Sequence, residues 1–267
     1  MENKFIYDER TLDDFKDAMD DYGWVVYTNA LEPDFVDQIN DDLIVAHQYR
    51  RRIQEKNGIS ANMDGTLHHL LERENFALRF LEKMYCNDEI SYFLSGNYIL
   101  NGINAVIHVK QAHPYLSNMH RDVRTFMKDT KLLVQMIVTL DDFTVENGAT
   151  YFLSGSHKAD LRPDENYFYG HANRAVAPKG SVIIFNSNIW HAAGENTTAA
   201  PRRALTLGFT RPFFKQQMDY PRFLGYDFVA GLSPSLRQVI GYNARTPENL
   251  DEYYQPPHLR MYQRDQG

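Results

Sequence analysis

His120 and Asp122 stand two apart, so on an extended segment both side chains reach the same side. A third donor, His191, ends the run Ile189-Trp190-His191. Two imidazoles and one carboxylate on one face of an octahedral Fe(II) leave positions for O2 and a bidentate 2-oxo acid. Nitrogen and oxygen donors with open positions favour Fe(II) over structural zinc, which takes four closed protein ligands. Arg202 follows eleven residues past His191, and a guanidinium fork matches the far carboxylate of 2-oxoglutarate in a way that lysine does not. Alone, the triplet His120-Arg121-Asp122 is a weak signal: 10 His and 35 acidic residues in 267 positions yield His-x-Asp/Glu about 1.3 times by chance. A surface His-Asp pair plus a core histidine would look the same.

The surroundings carry more. In order they read Asn118-Met119-His120-Arg121-Asp122, Leu140-Asp141-Asp142-Phe143, Glu146-Asn147-Gly148-Ala149-Thr150-Tyr151-Phe152-Leu153-Ser154-Gly155-Ser156-His157-Lys158, Trp190-His191 and Pro201-Arg202-Arg203. This ordered set, from about Tyr98 to Arg211, resembles the phytanoyl-CoA dioxygenase family of Fe(II)/2-oxoglutarate oxygenases. Ser154 stands where that family usually has proline, and Thr150 where it often has leucine; both departures bear on a turn and a strand. The resemblance implies a double-stranded β-helix, with His120, Asp122 and His191 as metal ligands and Arg202 as the 2-oxoglutarate anchor. It also implies use of O2 with release of succinate and CO2. Halogenating relatives carry a small residue in place of the metal carboxylate, so Asp122 points to hydroxylation or another oxidation. His157 becomes a structural turn residue by the same resemblance.

The arginine pair can also be read by period. Arg203 shares a strand face with Leu205, Leu207 and Phe209, a row suited to packing, whereas Arg202 shares one with Ala204, Thr206 and Gly208, small enough to leave a cavity. Gln135, between Leu133 and Ile137, is either a cavity group or a satisfied core amide. Trp190 walls the iron pocket or simply packs. Gln135, Trp190 and Thr206 are therefore expected to line the co-substrate site. Arg121 and Arg124 beside the ligands are candidate contacts for an anionic or polar substrate, although alternation would equally send Arg121 outward. His68, His69 and His113 fall where the family places substrate-facing loops, with solvent-exposed or capping roles as the alternative.

Composition sets the frame. Hydrophobic residues at 43% and charged residues at 24% are ordinary for a globular protein, and neither an 18-residue apolar run nor a signal-like start is present. A cytoplasmic protein without membrane contact is expected. One cysteine, Cys86, cannot form an internal disulfide and reads as a small buried hydrophobe. A net charge of -7 argues against nucleic acid and for a small-molecule substrate. Monomer and homodimer both remain open.

The elements that must position these residues change character near Tyr98. Before it, helical spacing predicts a Thr11-capped helix stopping at Gly23, a strand over Trp24 to Thr28, a long helix from Pro33 to near Gly58 carrying Phe35, Ile39, Leu43, Ala46 and Ile53, a helix from about Leu70 to Tyr85, and a short one from Glu89 to Leu94. After it, strands are expected at Ala105 to Lys110, Lys131 to Leu140, Thr150 to Leu153, Ser181 to Phe185 and Ala204 to Thr210. The expected architecture is a mainly β, cupin-like jelly-roll barrel buttressed by N-terminal helices, as a single domain. Residues 1–97 would be the buttress, 98–211 the barrel and 212–267 an aromatic segment covering the barrel mouth, a subunit contact or the sheet. The function implied is hydroxylation of a small polar metabolite. Its rivals are a non-catalytic ligand-binding barrel and a cupin-type metalloenzyme that does not use 2-oxoglutarate, which would leave Arg202 without a purpose.

Overall fold

A computed structural model describes residues 3–59, 65–110, 118–126, 128 and 130–266; His113 lies outside them. Its elements, in chain order, are β1 (Lys4–Ile6), α1 (Leu12–Asp21), β2 (Trp24–Thr28), α2 (Pro33–Lys56), β3 (Thr66–Leu67), α3 (Phe76–Glu82), α4 (Asn87–Leu94), β4 (Ile99–His108), β5 (Leu133–Thr139) and β6 (Tyr151–Phe152). They continue with α5 (Glu165–His171), β7 (Asn173–Arg174), β8 (Val182–Asn186), β9 (His191–Ala192), β10 (Arg202–Thr210), α6 (Tyr220–Leu224), α7 (Pro234–Ile240) and α8 (Leu250–Tyr253).

Local chemistry sets the helix ends. Thr11 and Asp14 form a reciprocal capping box at the start of α1, each side chain bonding the other's backbone N–H, and Gly23 leaves the helix with φ +81°. Pro33 sits in the first turn of α2, where its missing N–H costs nothing. The predicted helix from Leu70 to Tyr85 is a correction: only Phe76–Glu82 is helical, because Asn75 caps there, its side chain accepting from the Ala77 N–H. Ile53 is 42% exposed on the outer face of α2, while Val36, Ile39 and Leu43 are buried.

Seven strands form a sheet in the order β1-β2-β8-β5-β10-β4-β3, and β7-β6-β9 form a second, smaller sheet. The result is a jelly roll with helices on one side. The pleat sorts its side chains cleanly. Val134, Met136 and Val138 of β5, Val182 and Ile184 of β8, and Leu205, Leu207 and Phe209 of β10 join the helices in one core. Ile137, Ile183, Phe185 and Ala204 face the other way, toward Phe152 of the small sheet. β10 pairs with β4 and β5 on its two edges, and this register sets Arg202 opposite His108 and Gly208 opposite both Gly102 and Gln135.

Residues 212–267 had three expected roles; α6 and α7 cover the helical side, while α8 buries none of its residues. Tyr220, Leu224, Leu236, Val239 and Ile240 are buried in the same core as α2 and α3. Cys86 is fully buried there as well.

Candidate metal and co-substrate site

His120 and His191 meet through an isolated antiparallel bridge, exchanging both backbone hydrogen bonds at 3.0 Å. β9 is held in turn by Phe152 of β6. This brings the two rings to 4.2 Å between centroids. Asp122 closes the set, its two oxygens 3.5 Å from His120 Nε2 and 3.7 Å from His191 Nε2. All three donor atoms lie within 4.8 Å of one another. Neighbouring ligands on one ion with bonds of roughly 2.1 Å sit ~3 Å apart, so small rotations bring the three donors around a single ion. Both imidazoles are held in the ligating tautomer: Nδ1 of His120 donates to the Asn118 carbonyl at 2.7 Å and Nδ1 of His191 to the Ile189 carbonyl at 3.1 Å, leaving each Nε2 lone pair toward the site.

Electrostatics agree with a cation site. Burial opposes charge on Asp122, yet His191, His120 and a hydrogen bond from Gln135 hold its carboxyl below the usual range. For His120, burial pulls the pKa down but the Asp122 carboxylate outweighs it and the net direction is up. His191, walled by Phe152 and Phe185, is lowered chiefly by burial. The His120 and Asp122 side chains keep 28% and 23% of their surface open, against 8% for His191. One side of the triad thus faces solvent.

Arg202 and Arg203 part as the strand period predicts. Arg203 forks onto Asp141 with Nε to Oδ2 at 2.9 Å and Nη2 to Oδ1 at 2.6 Å. Arg202 is 3% exposed, points to the barrel interior and, among the described residues, forms no ion pair. It donates to the Gly148 carbonyl, lies 4.4 Å over the Phe143 ring, and leaves Nε without a hydrogen bond. Burial first, then Arg174, brings its pKa down to about 10. Gly148 must be glycine: its φ is +87°, and a Cβ would stand 2.4 Å from the Gly194 carbonyl oxygen.

Of the other predicted residues, Gln135 reaches Asp122, and Thr206 lies on the interior face between Asn104 and Ile137. Trp190 does not wall the site. It points away from His191, packs against the cluster of Met119, Leu153 and Phe168, and donates from Nε1 to the Leu161 carbonyl at 2.8 Å. Arg121 is a second correction. It is 5% exposed, bonded to the Ser156 and Ala159 carbonyls, paired with Asp160 at 3.4 Å and stacked 4.9 Å over Trp190. Its guanidinium sits in the loop that follows β6. Arg124 stays exposed near enough to His120 to depress its basicity. His157 is a turn residue packed under Gly23. Nδ1 of His69 contacts the Tyr220 hydroxyl at 3.2 Å, and burial lowers the pKa of both His68 and His69. Ser154, the departure from proline, accepts from Trp24 Nε1 at 2.9 Å and donates to Asn173 at 2.8 Å, so it ties β2 to the small sheet. Sequence reasoning missed His108, which the strand period would have placed beside Arg202 had β4 been recognised from Ile99 onward.

The Phytanoyl-CoA dioxygenase (PhyH) family model matches residues 19–204, so the chain belongs to the phytanoyl-CoA dioxygenase family. It is 31% identical over 263 residues to "Uncharacterized protein Rv1501" of Mycobacterium tuberculosis, covering 96% of each chain. It is 30% identical over 119 residues to "Iron/alpha-ketoglutarate-dependent dioxygenase ausU" of Aspergillus calidoustus, covering 43% of this chain and 39% of that one. The fold is similar to the crystal structure of EctD from S. alaskensis with 2-oxoglutarate and 5-hydroxyectoine, at TM-score 0.52, 16% identity and coverage of 73% and 74%. Among the described residues, no helix is long and apolar enough to cross a membrane.

Proposed function

We propose that the chain is an Fe(II)- and 2-oxoglutarate-dependent dioxygenase that hydroxylates a small polar metabolite. The observation that carries this reading is Arg202. A buried guanidinium with no ion pair among the described residues is an expensive feature. It makes sense as half of an ion pair whose other half arrives with a dicarboxylate. The donor set also fits the metal: two neutral imidazoles and one carboxylate, with one side open.

His120, Asp122 and His191 would hold iron, and Arg202 would take the distal carboxylate of 2-oxoglutarate. Bound iron supplies the redox chemistry that couples oxidative decarboxylation of the co-substrate to oxidation of the substrate. The protein's own part is geometric and electrostatic. The Asn118 and Ile189 carbonyls fix the ring tautomers, and Gln135 orients Asp122. Phe143, Phe152 and Phe185 keep water from the inner wall. Arg124 stands at the solvent edge, where a polar or anionic substrate would approach. The family relationship and the iron/alpha-ketoglutarate name of the Aspergillus relative support the co-substrate assignment.

The test is O2-dependent conversion of 2-oxoglutarate to succinate by Fe(II)-loaded protein, with a panel of polar and lipid substrates screened for acceleration. Stimulation by a polar metabolite with incorporation of one oxygen atom supports the reading. Iron binding without any succinate formation would favour a ligand-binding barrel.

A further inference from the structure

Beside Arg202 lies a second buried polar group. His108, on the facing strand β4, is 1% exposed; the Gly194 carbonyl lies near its ring, but among the described residues neither ring nitrogen makes a hydrogen bond of sound geometry. Buried polar side-chain atoms nearly always find a partner. Here two orphans, the His108 ring and Arg202 Nε, stand on directly paired residues. Opposed side chains of an antiparallel pair have Cβ atoms roughly 5 Å apart. The two share the interior face: Ala204 and Ile137 face that side, while Ile107, one residue before His108, and Leu205, three after Arg202, pack in the helical core. The backbone of His108 is anchored, its carbonyl accepting from Asn196 Nδ2 at 2.8 Å. Burial, then the neighbouring Arg202 charge, outweighs the nearby Gly194 carbonyl and holds the imidazole down to about 4, so at neutral pH it carries one N–H. An N–H donor next to an unpaired guanidinium, both dry, calls for a ligand that is anionic and has at least two acceptor oxygens.

We propose that His108 and Arg202 together form the receptor for the distal carboxylate of the 2-oxo acid, Arg202 supplying the charge and His108 a second hydrogen bond that makes the site selective for dicarboxylic over monocarboxylic 2-oxo acids. This rests on the 2-oxoglutarate reading above and adds a residue to it.

The experiment is anaerobic calorimetry on the Fe(II)-loaded full chain with two probes: 2-oxoglutarate, and 2-oxobutyrate, which lacks the distal carboxylate. His108→Leu should weaken 2-oxoglutarate about tenfold or more, the scale of one hydrogen bond to a charged group, and leave 2-oxobutyrate unchanged. His108→Asn, which restores a donor, should recover part of the loss. Because leucine removes a buried polar group without opening a large void, melting curves should show a folded variant. In the wild-type protein with Zn(II) in place of iron, the His108 ring 15N resonances should shift with 2-oxoglutarate and not with 2-oxobutyrate. Unchanged 2-oxoglutarate affinity in His108→Leu would show that water serves those nitrogens and would overturn the proposal. Equal loss for both probes would reduce His108 to a packing residue and overturn it too. If Arg202→Met also binds 2-oxoglutarate normally, the broader reading fails as well, an outcome separable from failure of His108 alone.

Discussion

Replacing Arg202 by methionine should separate stability from binding. Burial and Arg174 bring this guanidinium down to about 10, which at about 1.4 kcal/mol per pH unit is a penalty of ~3 kcal/mol on the charged form in the ligand-free protein. Methionine fills similar volume without the charge. It forfeits the bond to the Gly148 carbonyl and the contact with Phe143, together about 1–2 kcal/mol. Ligand-free Arg202→Met should therefore be as stable as wild type, or more stable by up to about 2 kcal/mol. With ligand the balance inverts, because removing one partner of a buried ion pair costs about 3–5 kcal/mol, a loss of affinity of a hundredfold or more. Anaerobic urea denaturation of the Fe(II) protein measures both. At a hundredfold excess over its dissociation constant, 2-oxoglutarate should stabilise wild type by about 2.7 kcal/mol and the variant hardly at all. Arg203→Lys, whose head group already faces Asp141, should keep the full ligand effect. A ligand-free Arg202→Met protein destabilised by several kcal/mol yet still protected by 2-oxoglutarate would refute the reasoning.

Gly148→Ala should unfold or severely destabilise the loop under Arg202, by about 2 kcal/mol or more, since a positive φ and a carbonyl 2.4 Å from the new Cβ both resist it; an unchanged melting temperature would contradict this. The metal-free protein should lose stability as pH falls from about 6.5 toward 4. His157 is held down to about 4 by burial and then Lys158, and His108 to about 4 by burial and then Arg202, so between those values the unfolded chain takes up protons that the native chain refuses, each at a cost of at most about 1.4 kcal/mol per pH unit. His157→Asn should make that slope shallower by up to about 1.4 kcal/mol per pH unit, and parallel curves for the two proteins would remove His157 as a source. Deleting Asp251 to Gly267 takes away the Gln238–Gln266 pair and the Ala244–Tyr262 bridge. These lie with α7 on the helical side, so the melting point should drop while Fe(II) and 2-oxoglutarate affinities hold; a loss of either affinity would place the tail at the site.

Much of the site could be read from order and period. The facial set His120, Asp122 and His191 followed from residue types and their family context, and the alternation Arg202-Ala204-Thr206-Gly208 against Arg203-Leu205-Leu207-Phe209 assigned the arginines to opposite faces, as observed. Failures came where tertiary pairing decides. Arg121 and Trp190 stand next to ligands in sequence, but their partners are the loop carbonyls of Ser156, Ala159 and Leu161, and they stack on one another. β3, β7 and β9 are two residues long and exist only because neighbouring strands bond them, so no local pattern announces them. Leu70 to Asn75 has helical composition, but Asn75 caps a later start and its side chain also donates to the Leu70 carbonyl. The carboxyl-terminal helices are too short for a clear period, and α7 is fixed by burial against α3 and β4.

The central claim is that His120, Asp122 and His191 hold one Fe(II) whose open positions take 2-oxoglutarate. Anaerobic addition of Fe(II) and then 2-oxoglutarate, followed by visible absorption, tests it directly. The account predicts one Fe(II) per chain and a weak metal-to-ligand band that appears only with both components, with iron affinity and band lost together in Asp122→Ala. Full iron binding and an intact band in that variant would contradict it.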